Sequence, residues 1–165
     1  MSTDTNELHA NDAETSRGGM RPPLLFLGAL LLGLVLDHVL PLTFPLPRTD
    51  LHRIIAGASI VLGVAIFAAA VRNFSSAGTP VPGSRATRVL VTSGIHGWSR
   101  NPIYVGMFLV YIGIGVGVRS PWIVILTLPL AIIIRYGVVA REEAHLEGRF
   151  GDTYRGYKAR VRRWV

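Results

Sequence analysis

Apolar and charged residues occupy separate blocks of this chain. Pro22–Leu36, Ile54–Val71, Asn101–Val118 and Ser120–Ile134 contain no Asp, Glu, Lys or Arg. A helix that buries one face on a soluble core mixes polar and apolar positions with a 3.6-residue period. These blocks are apolar all round. About 20 residues of helix cross roughly 30 Å of hydrocarbon, and each block with its flanks approaches that length. The pattern predicts four spans. The first is Pro22–Leu40, with Asp37 and His38 near its far end, and the second is Leu51–Val71. The third is Pro102–Val118, and the fourth runs from near Ser120 past Arg135. Only Arg119-Ser120-Pro121 separates the last two, which predicts a tight antiparallel helical hairpin. The alternative merges one of the shorter blocks or makes it re-entrant. The expected fold class is all-α: a polytopic membrane protein of about four transmembrane helices.

Composition sharpens this picture. The four blocks hold 66 of the 165 residues, and the remainder carries all 27 charges, an ordinary soluble-surface density. Mean hydropathy is +0.41. A soluble globular enzyme, a disordered tail protein and a disulfide scaffold are excluded. The absence of cysteine also excludes thiolate metal sites and thiol catalysis. Four crossings place the N-terminal tail, the loop from Arg72 to Arg100 and the C-terminal tail on one side, with 14 basic residues. The other side has three, Arg48, Arg53 and Arg119. The positive-inside rule then puts both termini in the cytoplasm. The net charge of +7 lies beside the spans, where anionic headgroups attract it, so a lipid bilayer is the expected partner and nucleic acid is not. Residues 1–20 mix acids and bases and lack the basic start of a secretory signal; they read as a disordered cytosolic tail.

Candidate chemistry gathers in two segments at the cytoplasmic ends of the spans. The first, Leu90–Gly106, leads into span 3. Asn101 before Pro102 reads as an N-cap followed by a first-turn proline. Free N–H groups at that helix start, beside Arg100 and the flexible Gly94 and Gly97, form a natural seat for an anionic group. His96 has no partner at metal-ligand spacing, so no metal site is expected. The second segment is Arg135–Leu146. On an α-helix, positions 135, 138 and 142 share a face, with 141 beside it. Arg135 reads either as an arginine snorkelling to headgroups or as a cation lining a polar cavity. Glu142 and Glu143 are either solvated acids or a seat for a cationic ligand group.

Farther on, Gly151 is placed to end one helix and Asp152 to cap another. Leu146, Phe150, Tyr154, Tyr157, Val161 and Trp164 step by three or four, an amphipathic stripe. Arg155, Lys158 and Arg162 fall on another face. This predicts a C-terminal amphipathic cytoplasmic helix, on the membrane surface or packed over the cytoplasmic mouth. Gly113, Gly115 and Gly117 lie in an apolar run rather than a strand-to-helix turn, so they form no phosphate loop. Gly113 and Gly117 have the spacing of close helix packing. Pro129 predicts a kink.

Together the two segments, Val91-Thr92-Ser93-Gly94 with Arg100-Asn101-Pro102-Ile103-Tyr104-Val105-Gly106, then Glu142-Glu143, Leu146, Phe150-Gly151-Asp152-Thr153-Tyr154, Tyr157 and Val161, resemble the isoprenylcysteine carboxyl methyltransferase family. Its wider group includes phospholipid N-methyltransferases and small bacterial membrane methyltransferases. The resemblance covers about residues 79–161 and is specific because two distant blocks occur in order around one hairpin. It implies an integral membrane methyltransferase domain over 21–165 that uses S-adenosyl-L-methionine and acts on a lipophilic or prenylated substrate. The cofactor and catalytic part would be about 79–161. Carried over, Arg88, Val89, Leu90, Val91, His96, Asn101, Pro102, Ile103 and Tyr104 line the cofactor site. Gly94 and Arg100 lie in the same block, and Glu142 and Glu143 complete the site. His96 stands where the carboxyl methyltransferases commonly have tyrosine, and Asn101 where many have histidine. A substrate-binding arginine of the eukaryotic enzymes falls at Val138. Arg135 and Arg141, a turn away on either side, are with Glu142 the candidate catalytic residues.

Methyl transfer from a sulfonium is an in-line displacement, so the protein chiefly positions donor and acceptor. A carboxylate acceptor needs only an orienting cation. An amine or hydroxyl must lose a proton, for which Glu142, Glu143 or a neutral His96 is available. The competing functions are a non-catalytic membrane protein on the same scaffold and an NADPH-dependent membrane reductase.

Overall fold

The computed structural model describes residues 21–45, 49–80 and 89–165. The expected tail over 1–20, and with it Arg48 and Arg88, lie outside the described residues. No strand occurs among the described residues. Five helices do: α1 (Pro22–Val39), α2 (Asp50–Ser76), α3 (Pro102–Gly117), α4 (Pro121–Ile133) and α5 (Ala140–Arg160). A 3₁₀ turn, Gly94–Gly97, precedes α3, and a π-helical segment, Ile134–Val139, joins α4 to α5 without a break. Three runs are long and apolar enough to cross a membrane: Pro22–Val39, Asp50–Ser76 and Pro121–Arg160. The apolar α3 has 16 residues, about 24 Å of helix.

Packing follows the small residues. In a bilayer, helices associate through close van der Waals contact rather than through the hydrophobic effect. Gly63 of α2 and Gly106 of α3 sit against each other's backbone: a Cβ on either would lie 2.6 Å from the other's carbonyl oxygen. A Cβ on Gly113 would meet the carbonyl of Ala56 at 2.9 Å, and one on Gly117 the Ala56 methyl at 3.5 Å. Gly115, on the opposite face, receives Ile123 of α4. The alternating glycines thus serve two neighbours, 113 and 117 facing α2 and 115 facing α4. Gly33 of α1 also receives Ile123, which is fully buried. So α2 packs along α3, α1 along α4, and α3 joins the two pairs.

Connections between helices are locally encoded. Ser120 caps α4 by accepting from the N–H of Ile123 at 3.0 Å, ahead of Pro121. Arg119 takes a positive φ of 61° and lies over the ring of Phe44. Trp122 donates to the carbonyl of Leu40 at 2.7 Å, tying the start of α4 to the end of α1. Pro129 lies inside α4, and the next irregularity begins at Ile134. There the N–H of Ala140 reaches the carbonyl of Arg135, a π-type bond. A π turn lengthens the helical repeat, so the common face expected for 135, 138 and 142 does not form. Val138 is buried in the core, Arg135 is half-buried against Tyr136, and Glu142 enters a different environment.

Candidate active site

The end of α2, the segment before α3 and the folded-back α5 converge on one cavity. Gly151, with φ 50° and ψ −125°, bends α5, and residues beyond it return over the 3₁₀ turn. Tyr154 and Tyr157 are thereby buried, while Arg155, Lys158 and Arg162 stay exposed. Tyr157 donates its hydroxyl to the carbonyl of His96 at 2.7 Å. Burial pushes the Tyr154 phenol up to about 12, so both tyrosines keep their protons at neutral pH. These contacts pack the helix against the 3₁₀ turn before α3. As expected, Gly151 ends one helix and a second begins beyond it; Asp152, at the start of that second helix, pairs with Arg155 at 2.9 Å.

Ten of the expected site residues come together here. From the first, Leu90, Val91 and His96 line the cavity, as do Arg100, Asn101, Pro102, Ile103 and Tyr104. Glu142 and Glu143 line it from α5. Val89 is half-exposed outside it, and Gly94 turns beside it with φ 58°. Arg135 and Arg141 do not line the cavity: Arg135 lies 5.1 Å from the ring centre of Tyr136, and Arg141 is exposed. Four lining residues were absent from the expected site: Phe74, Leu146, Tyr154 and Tyr157. The stripe from Leu146 to Trp164 held the signal for three of them. Phe74 was hidden because α2 continues past the last apolar residue expected of its span, through Ser76.

The two acids have different surroundings. Glu142 is half-buried, accepts the Tyr104 hydroxyl at 2.9 Å, and has no ion pair among the described residues. Glu143 is 6% exposed and is forked by Arg163, Nε to Oε1 at 3.0 Å and Nη2 to Oε2 at 2.6 Å. Arg100 approaches the same carboxylate at 3.4 Å, outside hydrogen-bond geometry. Its Nε and Nη1 are buried without hydrogen-bond partners. Two guanidinium groups therefore surround one carboxylate, leaving one positive charge over, and Arg100 holds donors in reserve. A buried donor left unsatisfied costs about 1–3 kcal/mol, so an anionic group entering beside Arg100 would be favoured.

The chain beyond α5 closes this corner. The backbone N–H of Arg100 donates to the carbonyl of Arg162 at 3.0 Å, and Asn101 donates its side-chain N–H to the carbonyl of Arg163 at 3.0 Å. Asn101 thus occupies the N-cap position of α3, but its side chain makes no cap bond; it holds the C-terminal segment instead. Trp164 packs edge-on to Phe108. The cavity encloses about 70 Å³, well below the 300–1,000 Å³ typical of sites that bury a small molecule.

A second cavity, about 300 Å³, lies among α1, α2 and α3. Its walls are apolar, with Phe26 and Leu30 from α1, Val64 and Phe67 from α2, and Met107 and Val110 from α3. Gly106 and Met107 follow Ile103 and Tyr104 of the first cavity by one turn of α3.

A sequence-family description, phospholipid methyltransferase, matches residues 51–153, from the first turn of α2 through the bend of α5. An uncharacterized protein of Haemophilus influenzae is 53% identical over 34 residues, 21% of this chain and 54% of that protein. The chain thus spans about half the length of that relative. With well over half of its residues matched, the chain belongs to the phospholipid methyltransferase family.

Proposed function

We propose that the protein is an integral membrane enzyme that transfers a methyl group from S-adenosyl-L-methionine to a lipophilic acceptor. In this reading α1, α2, α3 and α4 are four crossings, α3 and α4 form the hairpin, and both termini face the cytoplasm. Two observations support the topology. Leu40 and Trp122 mark one end of the bundle, and Arg100, Glu143 and Arg163 meet at the other. The end with the cavity is also the more basic end.

The observation that carries the function is the chemistry of the cavity wall. Unpartnered buried donors on Arg100 fit a carboxylate. Glu142, free of any cation among the described residues, fits a cationic centre. The side chains of Ile103, Leu146 and Phe74 fit an apolar or aromatic body. The donor has all three parts and supplies an electrophilic methyl group on a positively charged sulfur. Arg100 would orient its carboxylate, and Glu142 would face the charge that disappears as the methyl leaves. The bent end of α5 excludes water, which strengthens these interactions. If the acceptor is an amine or hydroxyl, the Glu142 carboxylate takes its proton. The apolar cavity among α1, α2 and α3 gives a lipid tail a place beside that site, with entry from the bilayer.

The test is direct. Purified wild-type protein is expected to bind S-adenosylmethionine, and Glu142→Ala to lose that binding while remaining folded in detergent. Methyl-labelled donor supplied to membranes carrying the protein is expected to label the lipid extract. Wild-type binding of NADPH in place of S-adenosylmethionine, or Glu142→Ala binding S-adenosylmethionine at wild-type affinity, would overturn the assignment.

A further inference from the structure

We infer that Asn73 fixes the tautomer of His96, so that His96 meets the ligand of the cavity as a neutral N–H donor through Nε2. The geometry begins at the last turns of α2. Asn73 Nδ2 donates to the carbonyl of Ser93 at 2.9 Å. A carbonyl oxygen can only accept, so this atom is the amide nitrogen, and the orientation of the amide is settled by its partner. Nδ2 has a second hydrogen, and 3.3 Å away is Nδ1 of His96. A donor facing Nδ1 requires a bare lone pair there, and neutral imidazole then carries its proton on Nε2.

Independent contacts hold the ring in this setting. It lies edge-on to Phe74 at 4.7 Å. The peptide carbonyl of His96 is held by Tyr157. Gly94 passes directly over the Asn73 amide, where a Cβ would overlap it, and its positive φ is the left-handed conformation that glycine tolerates. The residue is 3% exposed and lines the cavity, and Nε2 has no partner among the described residues.

Two consequences follow. Nε2–H is a donor available to a lone pair on the ligand, such as a carboxylate or ring nitrogen of the methyl donor. His96 is also a poor general base, since its accepting nitrogen is engaged and burial lowers its pKa to about 4. The proton-accepting role therefore falls to Glu142. Asn73 is a positioning residue: it acts through His96. The donor role rests on the methyltransferase reading above, whereas the tautomer does not.

Nitrogen-15 NMR of histidine-labelled protein in detergent at pH 7 tests the tautomer, with the His96 signals assigned by their loss in His96→Gln. The expected spectrum has a protonated Nε2 and a bare Nδ1. A proton on Nδ1, or a charged ring, overturns the inference. Asn73→Asp keeps the side-chain shape but offers only acceptors, and is expected to move the proton to Nδ1. It also loses the donor to the Ser93 carbonyl, so the expected fall in S-adenosylmethionine binding, at least tenfold, is measured on protein shown by its melting in detergent to be folded. His96→Gln, which retains an N–H near the position of Nε2, is expected to bind within a few-fold of wild type, and His96→Leu to lose binding. A switched tautomer with unchanged affinity in Asn73→Asp overturns the donor role. Failure of the wild type itself to bind S-adenosylmethionine overturns the methyltransferase reading and the donor role with it, leaving the tautomer to stand or fall on the spectrum.

Discussion

Arg163 grips both oxygens of Glu143, at 3.0 and 2.6 Å, across twenty residues of chain. The residues between them form the lid over the cavity, so this pair fastens the lid to its own base. Glu143 also faces Arg100, a residue of the site wall whose Nε and Nη1 make no hydrogen bond. The pair therefore ties together lid position, local charge and the donors left for a ligand.

Removing one partner leaves a charge buried without its match. Breaking a buried pair costs about 3–5 kcal/mol, and Arg163, with a side chain 26% exposed, is expected at or below the lower end. Arg163→Ala should destabilise the protein by about 2–3 kcal/mol. The double variant with Glu143→Ala should lose less than the two single losses added, by about 1 kcal/mol or more. Equilibrium unfolding of the four proteins in one detergent checks this. Strict additivity would mean that the two side chains do not interact.

Gly63 and Gly106 let the backbones of α2 and α3 come into contact. Gly106→Leu would push a side chain into the backbone of Gly63 and the start of Phe67. Overpacking costs typically about 1–3 kcal/mol, and here the obstacle is backbone rather than a flexible side chain. The variant is expected to melt lower by that order, with Gly57→Leu as the control, since nothing lies within 4 Å of a Cβ at Gly57. Equal melting of the two variants would contradict a close α2–α3 crossing.

Much of this architecture was legible because bilayer segments are written in long uncharged blocks. The start of α3 at Pro102 and of α4 at Pro121 could be read from the prolines and their preceding polar residues. The partners of the site were less legible. Arg163 holds Glu143 and Asn73 holds His96, but neither pair has a fixed sequence spacing, and both depend on the bend at Gly151 or the turn at Gly94. Arg135 is instructive in the other direction. Its face was computed from an uninterrupted α-helix, and the π segment beginning at Ile134 removes that premise. Nothing in the apolar residues around it announces a π turn.

Acid should loosen the site through His96. The unfolded chain binds a proton there near pH 6.5, whereas burial lowers the folded value to about 4. Between those values the unfolded state holds more protons, so this contribution is complete above about pH 6.5 and is lost as the pH falls through about 4. Protonation would also set a donor on Nδ1 against the Asn73 N–H. Relative to His96→Gln, whose side chain does not titrate, wild-type melting is expected to fall between pH 7 and 4.5. Parallel pH profiles for the two proteins would remove His96 as the cause.

The Tyr104–Glu142 bond separates binding from proton transfer. Glu142→Gln keeps an oxygen to accept the Tyr104 hydroxyl at the position now 2.9 Å away, but cannot take up a proton. If the acceptor is an amine or a hydroxyl, loss of a positioned base lowers turnover by about 10²–10⁴-fold. Donor affinity should fall much less than in Glu142→Ala, because the amide preserves shape and hydrogen bonding while losing the charge. The measurement is single-turnover transfer of labelled methyl at saturating donor, which isolates chemistry from binding. The expected result is a fall of about 10²-fold or more. A fall below about tenfold would mean that the acceptor has no proton to lose in the reacting step: release of the label by mild base would then mark a carboxylate methylated to an ester, and base-stable label a tertiary amine methylated to a quaternary ammonium.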